Sequence, residues 1–266
     1  MNWLKTHKFL LLRRITQLGI LGLFLLGPWL GIWIVKGNLA ASLTFDILPL
    51  TDPYILLQSI VAGHIPEIIG LVGAVIILIF YLIVGGRVYC SWVCPINIIT
   101  DAAAYLRVKL AIRTNNQFSH SLRYWILAMT IIVSWFTTKI VWEFVNPVSI
   151  LYRGLVFGMG LAYAMVLAIF LFDLFVSSWC SRICPVGAFY SLLGKFSWLR
   201  INTSKREQCD DCMDCFKICP EPQVIKPALK NLDNKPIILA ANCTNCGRCI
   251  DICGKDVFNF SNRFYQ

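Results

Sequence analysis

Residues 209–220 read CDDCMDCFKICP, and residues 243–254 read CTNCGRCIDICG. The first is C-x2-C-x2-C-x3-C-P. The second repeats the cysteine spacing after a gap of 23 residues. Thiolates at this spacing hold iron–sulfur clusters, and two such runs read as two [4Fe–4S] cubes. The first three cysteines of a run wrap one cube, and the fourth reaches across to the other. Cys209, Cys212, Cys215 and Cys253 are therefore assigned to one cluster, and Cys243, Cys246, Cys249 and Cys219 to the second. Zinc also takes C-x2-C pairs, but usually as two pairs across a longer loop. The second run ends Cys253-Gly254, without the proline, which sets chain direction and is no ligand.

The 266-residue chain is 58% hydrophobic and 14% charged, where soluble domains carry about 25% charged residues. Such a composition predicts a membrane protein. The formal charge of +10 suggests nucleic acid at first sight, yet no nucleic-acid motif is present. The basic residues flank apolar segments and read as topology signals. All twelve cysteines fall into four tight motifs. That argues against a disulfide framework and for ligands kept reduced on the cytoplasmic side.

Four segments read as spans: 15–35, 68–84, 124–142 and 155–179. The basic start MNWLKTHKFLLLRR precedes 21 residues, Ile15 to Val35, longer than the ~7–15 apolar residues of a signal peptide. It reads as an uncleaved anchor. Lys5, Lys8, Arg13 and Arg14 precede the first span. Arg87, Arg107, Lys109, Arg113 and Arg123 lie around the connection of the second to the third. Arg182, Lys195, Arg200, Lys205 and Arg206 follow the fourth. The other two connections carry Asp46, Asp52, Glu67 and Glu143, with Lys36 and Arg153 their basic residues. This bias places both termini and all four motifs inside, on the cytoplasmic face of a bacterial inner membrane. Residues 40–60, broken by Asp46, Pro49, Asp52 and Pro53, are expected to lie on the outer surface or dip back in. Residues 102–112 and 186–200 read as interfacial helices. Lys139 is expected to snorkel. Asp173, inside a span, reads equally as a functional carboxylate and as a helix-pairing one.

An internal repeat is visible. Cys90-Ser91-Trp92-Val93-Cys94-Pro95 follows the second segment, and Cys180-Ser181-Arg182-Ile183-Cys184-Pro185 follows the fourth, 90 residues later. The preceding loops echo each other as Asp52-Pro53-Tyr54-Ile55-Leu56-Leu57 and Asn146-Pro147-Val148-Ser149-Ile150-Leu151. Cys90, Cys94, Cys180 and Cys184 supply four thiols, enough for a third cluster if the repeats meet. The alternative is that these i, i+4 cysteines only pack at helix ends. His64 and Glu67 are candidates to meet a quinol headgroup, against the plainer reading of an interfacial histidine. Trp29, Trp33, Trp135 and Trp142 read as an aromatic belt.

From residue 201 polar residues become common. Val224–Ile225 and Ile237–Leu239 are strand candidates around a turn at Asp233-Asn234. The expected fold is thus a membrane all-α domain, residues 1–200, of four transmembrane helices in two repeated pairs. A cytoplasmic α+β two-cluster ferredoxin-like domain, residues 201–266, follows it.

Paired C-x3-C-P motifs joined to a C-terminal two-cluster run resemble the NapH family, the ferredoxin-type membrane components of quinol dehydrogenases serving periplasmic nitrate reductase. The resemblance covers nearly the whole chain. It implies quinol as donor and an electron-transfer component of a quinol dehydrogenase complex. It also implies a periplasmic ferredoxin of the NapG type, or a cytochrome, as partner. Related families share the combination, including regulators of nitrous-oxide reduction, methylamine-utilisation components and cytochrome-oxidase assembly factors. A redox-sensing or assembly factor for a partner respiratory enzyme is the rival from another class, since its cysteines would look the same.

Overall fold

The structure, a computed structural model, describes residues 6–112, 118–176, 178–230 and 235–264. Lys5, Arg113 and the turn expected at Asp233-Asn234 lie outside them.

The four-span reading is corrected here. Among the described residues one helix, Lys8–Leu30, is long and apolar enough to cross a bilayer. Spanning takes about 20 apolar residues for a hydrocarbon core of ~30 Å. The helix Ile68–Val84 has the expected bounds but only 17 residues, about 25 Å at ~1.5 Å per residue. The third segment stops at Thr137, because Thr138 is left-handed at φ 53°. The fourth, 155–179, straddles the end of one helix, Pro147–Phe157, and a second of 16 residues, Gly160–Phe175, parted at Gly158 with φ 68°. The region is not all-α either. Residues 35–51, read as the end of a span and a surface segment, form a three-stranded antiparallel meander: Val35–Gly37, Ala41–Thr44 and Leu48–Thr51.

The chain divides into two compact units. One gathers the N-terminal residues to Gln17, Phe80–Val93 and the chain from Tyr190 onward. The other holds Leu18–Ile79 and Cys94–Phe189. In the second unit the sequence repeat has a physical counterpart. Asp52 and Asn146, both extended, accept the N–H two residues on, Tyr54 at 2.9 Å and Val148 at 3.1 Å. Each thereby caps a helix that begins with proline, Pro53–Val61 and Pro147–Phe157. Asx caps and proline in the first turn are what helix starts favour. The helix Gly160–Phe175 packs on both Ile96–Lys109 and Pro147–Phe157. Gly154 permits the second contact, since a Cβ there would lie 2.1 Å from the Cβ of Ala162.

In the same unit the ring of Tyr54 lies 5.5 Å from that of Phe189, and Tyr54 also senses the thiol of Cys184. Tyr54 was expected on the outer side and Cys184 on the inner one. Of the two readings of residues 40–60, surface segment or segment that dips back in, the ring contact of Tyr54 with Phe189 favours the second. Trp142 is buried and is not part of a belt, whereas Trp29, Trp33 and Trp135 are exposed.

In the first unit Leu199–Asn202 pairs antiparallel with Asn259–Asn262. Ile237 makes an isolated bridge to Asn202, and Ile238 N–H donates to the Ile201 carbonyl at 2.9 Å. Val224 and Ile225, expected in a strand, instead sit in a short 3-10 turn, Pro222–Val224, and at the start of the helix Lys226–Leu229. Pro222 and Pro227 remove the donors that a strand ladder needs. Ile201, Val224, Ile225, Leu229, Ile238, Val257 and Phe258 form the core, with Cys215 and Cys249 embedded in it.

Candidate metal centres in the cysteine-rich unit

The two cysteine runs fold alike. Asp211 and Met213 have φ of 59° and 61°, and Asn245 and Gly247 have φ of 47° and 75°. These are the residues just before and just after the middle cysteine of each triple. Alternating left-handed residues wind the backbone so that three side chains converge and the N–H groups form a concavity suited to negative charge. Asn, Asp and Gly adopt this conformation readily; Met does so at a cost. In each loop the first thiol donates to the side chain two residues on, Cys209 to Asp211 at 3.4 Å and Cys243 to Asn245 at 3.5 Å. A short helix then carries the third cysteine: Asp214–Ile218 holds Cys215 and Arg248–Ile252 holds Cys249. Cys219 and Cys253 follow in extended conformation, which turns them out of the helix line.

Two cavities result. Cys209, Cys212, Cys215 and Cys253 line the first, with Phe216, Leu229 and Phe258 among its apolar walls. Cys219, Cys243, Cys246 and Cys249 line the second, with Ile201, Val224 and Ile238. Electrostatic neighbours divide mostly the same way, although Cys249 of the second set also feels Cys215 of the first. Burial first, then Cys209, Cys212 and Cys253, push the Cys215 thiol up to about 11. Cys219 is raised by burial and by Cys246 and Cys243. Burial likewise pushes Cys243 up to about 11 and Cys249 well above the usual range. Thiols crowded in an apolar hollow resist ionisation until a cation compensates them. None of the twelve cysteines is in a disulfide.

Among the described residues no three His, Cys, Asp or Glu side chains are grouped to hold one metal ion. A zinc ion with Zn–S bonds of ~2.3 Å would need thiols in tight contact. Thiols spaced around a hollow suit a multi-iron cube, whose irons each take one ligand. The residues present thus fit an iron–sulfur group in each cavity.

A set of side chains that the cysteine pattern did not reveal braces the second loop. Asn245 Nδ2 donates to the carbonyls of Leu199 at 2.9 Å and Val84 at 3.1 Å. Trp92 Nε1 donates to the Asn245 carbonyl at 3.1 Å, and Ser91 Oγ to that of Thr244 at 2.8 Å. Arg87 Nη1 reaches the Asn242 carbonyl at 2.8 Å and Glu221 Oε1 at 2.7 Å. Phe9 packs on Gly247 and stands edge-on to Phe260. Arg13, Arg87, Arg123 and Arg200, all read as topology charges, are among the most deeply buried large side chains. Only a Glu two residues after Cys219 and an Arg three before Cys90 hinted at the ion pair.

The remaining candidates fall in both units. Cys90 lies in a π-helical turn, Tyr89–Val93, of the first unit. Cys94, Cys180 and Cys184 belong to the second. Cys90 and Cys94 are buried, and Cys180 and Cys184 half-buried. His64 is exposed with a ring nitrogen 3.1 Å from the Thr138 carbonyl, and Glu67 is exposed. Asp173 is buried, where it accepts the Trp179 N–H at 2.5 Å. That is a local structural task and needs no ligand.

The comparisons with known proteins follow the same lines. Residues 67–113 and 156–206 match a family described as a 4Fe-4S binding domain. Residues 201–254 match a 4Fe-4S dicluster domain. Each of the first two stretches contains one C-x3-C-P motif, so the repeat read from the cysteines recurs in the match. The chain is 46% identical to the ferredoxin-type protein NapH of Haemophilus influenzae over 266 residues, 99% of this chain and 93% of the other. It is 43% identical to NapH of Escherichia coli over 265 residues, 99% and 92% of the two chains. It is 51% identical to the methylamine utilization ferredoxin-type protein MauN of Paracoccus denitrificans over 264 residues, 98% and 93%. No solved structure matches. With relatives this similar over nearly their whole length, the chain belongs to the NapH and MauN family of ferredoxin-type iron–sulfur electron-transfer proteins.

Proposed function

We propose that the chain is a membrane-attached quinol dehydrogenase component holding two [4Fe–4S] clusters. One is ligated by Cys209, Cys212, Cys215 and Cys253, the other by Cys219, Cys243, Cys246 and Cys249. The observation that carries this reading is the pair of hollows, each lined by four thiols, three from one run and the fourth from the other. When bound, such clusters supply one-electron redox chemistry. The chain's own part is to position the thiolates, exclude water with the apolar walls, and set the local charge. Cys90, Cys94, Cys180 and Cys184 lie in stretches that match a 4Fe-4S binding domain, which supports iron ligation by them as well.

Membrane attachment is supported by the helix Lys8–Leu30 and by exposed apolar side chains on it, including Ile15, Leu18, Trp29 and Leu30. The likeness to NapH supports quinol as donor and periplasmic nitrate reductase as destination, by way of a NapG-type ferredoxin or a cytochrome. The 51% identity to a MauN protein favours a second reading, in which the same electron path serves methylamine utilization. Both share the cluster chemistry and differ in partner. Anaerobic purification from native membranes, followed by identification of what co-purifies and by spectroscopy during menaquinol or ubiquinol addition, tests the function. Cluster reduction by quinol supports it. Fully loaded clusters that no quinol reduces would contradict it.

A further inference from the structure

The two cavities differ in the charge around them. The first opens to solvent at Cys212, and the charged side chains on its wall, Asp210, Asp211, Lys230 and Lys255, are balanced in sign. Asp211 there pairs with Lys230, and water screens such exposed charges. The second cavity has Glu221 and Arg248 on its wall and two further, buried cations beside it, Arg87 and Arg200. Arg87 is 2% exposed and its charge is offset by Glu221, itself 1% exposed, at 2.7 Å. Arg200 is 1% exposed. Its guanidinium donates to the carbonyls of Gly194 and, at 3.4 Å, Ala240. The Ala240 carbonyl also accepts the Cys243 N–H at 3.1 Å. The Nε of Arg200 has no partner, and among the described residues no carboxylate pairs with this side chain.

A buried cation without a counter-ion is unfavourable. Burial accordingly lowers the pKa of Arg200, while the neighbouring Cys243 raises it again; a guanidinium still stays charged. A thiolate-ligated cluster in the second cavity would supply the negative charge, since Arg200 and the Cys243 N–H share the Ala240 carbonyl. We propose that Arg200 holds the cluster of Cys219, Cys243, Cys246 and Cys249 at a higher reduction potential than the cluster of Cys209, Cys212, Cys215 and Cys253. This rests on the reading that both cavities are loaded. Arg200 stabilises the extra negative charge that a one-electron reduction adds, with no bond made or broken, and does so in a site where water does not screen it. The order of potentials makes the buried site the first of the pair to fill and leaves the exposed one, at Cys212, the stronger reductant.

The test is a redox-poised electron paramagnetic resonance titration of the anaerobically purified full-length chain. The signal altered in Cys246→Ser marks the second cluster. Arg200→Gln should lower the midpoint of that signal alone, and Arg200→Lys should restore most of it. The wild-type order of the two midpoints, second cluster above first, needs no variant of Arg200 and keeps the test decisive if Arg200→Gln fails to fold; the reverse order overturns the proposal. An unmoved midpoint in Arg200→Gln, or equal shifts of both signals, also overturns it. A wild-type chain without iron overturns the cluster reading itself; a chain with about eight irons and unmoved midpoints overturns only the role of Arg200.

Discussion

The carboxylate of Asp251 accepts the backbone N–H of Phe9 at 3.1 Å, 242 positions away in the chain, and that of Leu10 at 3.0 Å. Asp251 stands between Cys249 and Cys253, so the second cysteine run supplies the anion at the N-terminus of the apolar helix. The contact does the work of a cap and complements the helix dipole. Asp251→Ala should cost about 1 kcal/mol, and Asp251→Asn less. Hydrogen exchange at the Phe9 and Leu10 amides reads the effect directly. Unchanged protection in the Ala variant would show that the cap is not what holds this end.

Arg87 and Glu221 form a buried pair whose loss is asymmetric. Removing one partner leaves the other charge buried, at a cost of about 3–5 kcal/mol. Replacing both by apolar residues of similar size costs much less. Arg87→Met alone should therefore lower the unfolding midpoint more than Arg87→Met combined with Glu221→Leu. Additive losses in the double variant would mean that the pair is not coupled.

Gly247 and Met213 occupy the same left-handed position of the two loops and should respond oppositely to substitution. A Cβ at Gly247 would lie 2.5 Å from the Phe9 ring, and its φ of 75° disfavours any side chain. Gly247→Ala should destabilise the chain and loosen the N-terminal segment. Met213→Gly relieves a left-handed residue and should stabilise by about 1 kcal/mol. Thermal unfolding of the two variants checks the signs.

Ligand crossing makes a pairing prediction. Cys253→Ser should perturb the same paramagnetic signal as Cys212→Ser, although Cys253 belongs to the other run. Cys219→Ser should share its signal with Cys246→Ser. Signals that sort by run, with Cys253 grouped with Cys246, would refute the crossed assignment.

What the sequence disclosed and what it hid have physical causes. Cysteine spacing is short-range and specific, so the two proposed sets follow from the sequence without any fold. The helix Ile68–Val84 was legible from its unbroken apolar run. Its adequacy as a span was not, because composition continues past the point where the backbone turns. The meander at 35–51 was missed for a local reason. Its tight turn uses Phe45 and Asp46 at positive φ, 53° and 59°, with none of the Asn-Gly signature that marks most such turns. The buried arginines were misread because a lysine or arginine beside an apolar segment looks the same whether it faces lipid headgroups or a carbonyl. The partners of Arg87 and Arg200 lie 40 or more positions away, apart from Gly194. Asp52 and Asn146 were noticed as an echo, but that both are caps needed the backbone.

The central claim is that eight cysteines hold two iron–sulfur clusters, and metal analysis tests it most directly. Iron, acid-labile sulfide and zinc should be measured per chain after anaerobic purification of the intact protein. At least about eight irons with matching sulfide are predicted for two cubes, and about twelve if the C-x3-C-P cysteines also bind one. Stoichiometric zinc with little iron would contradict the account.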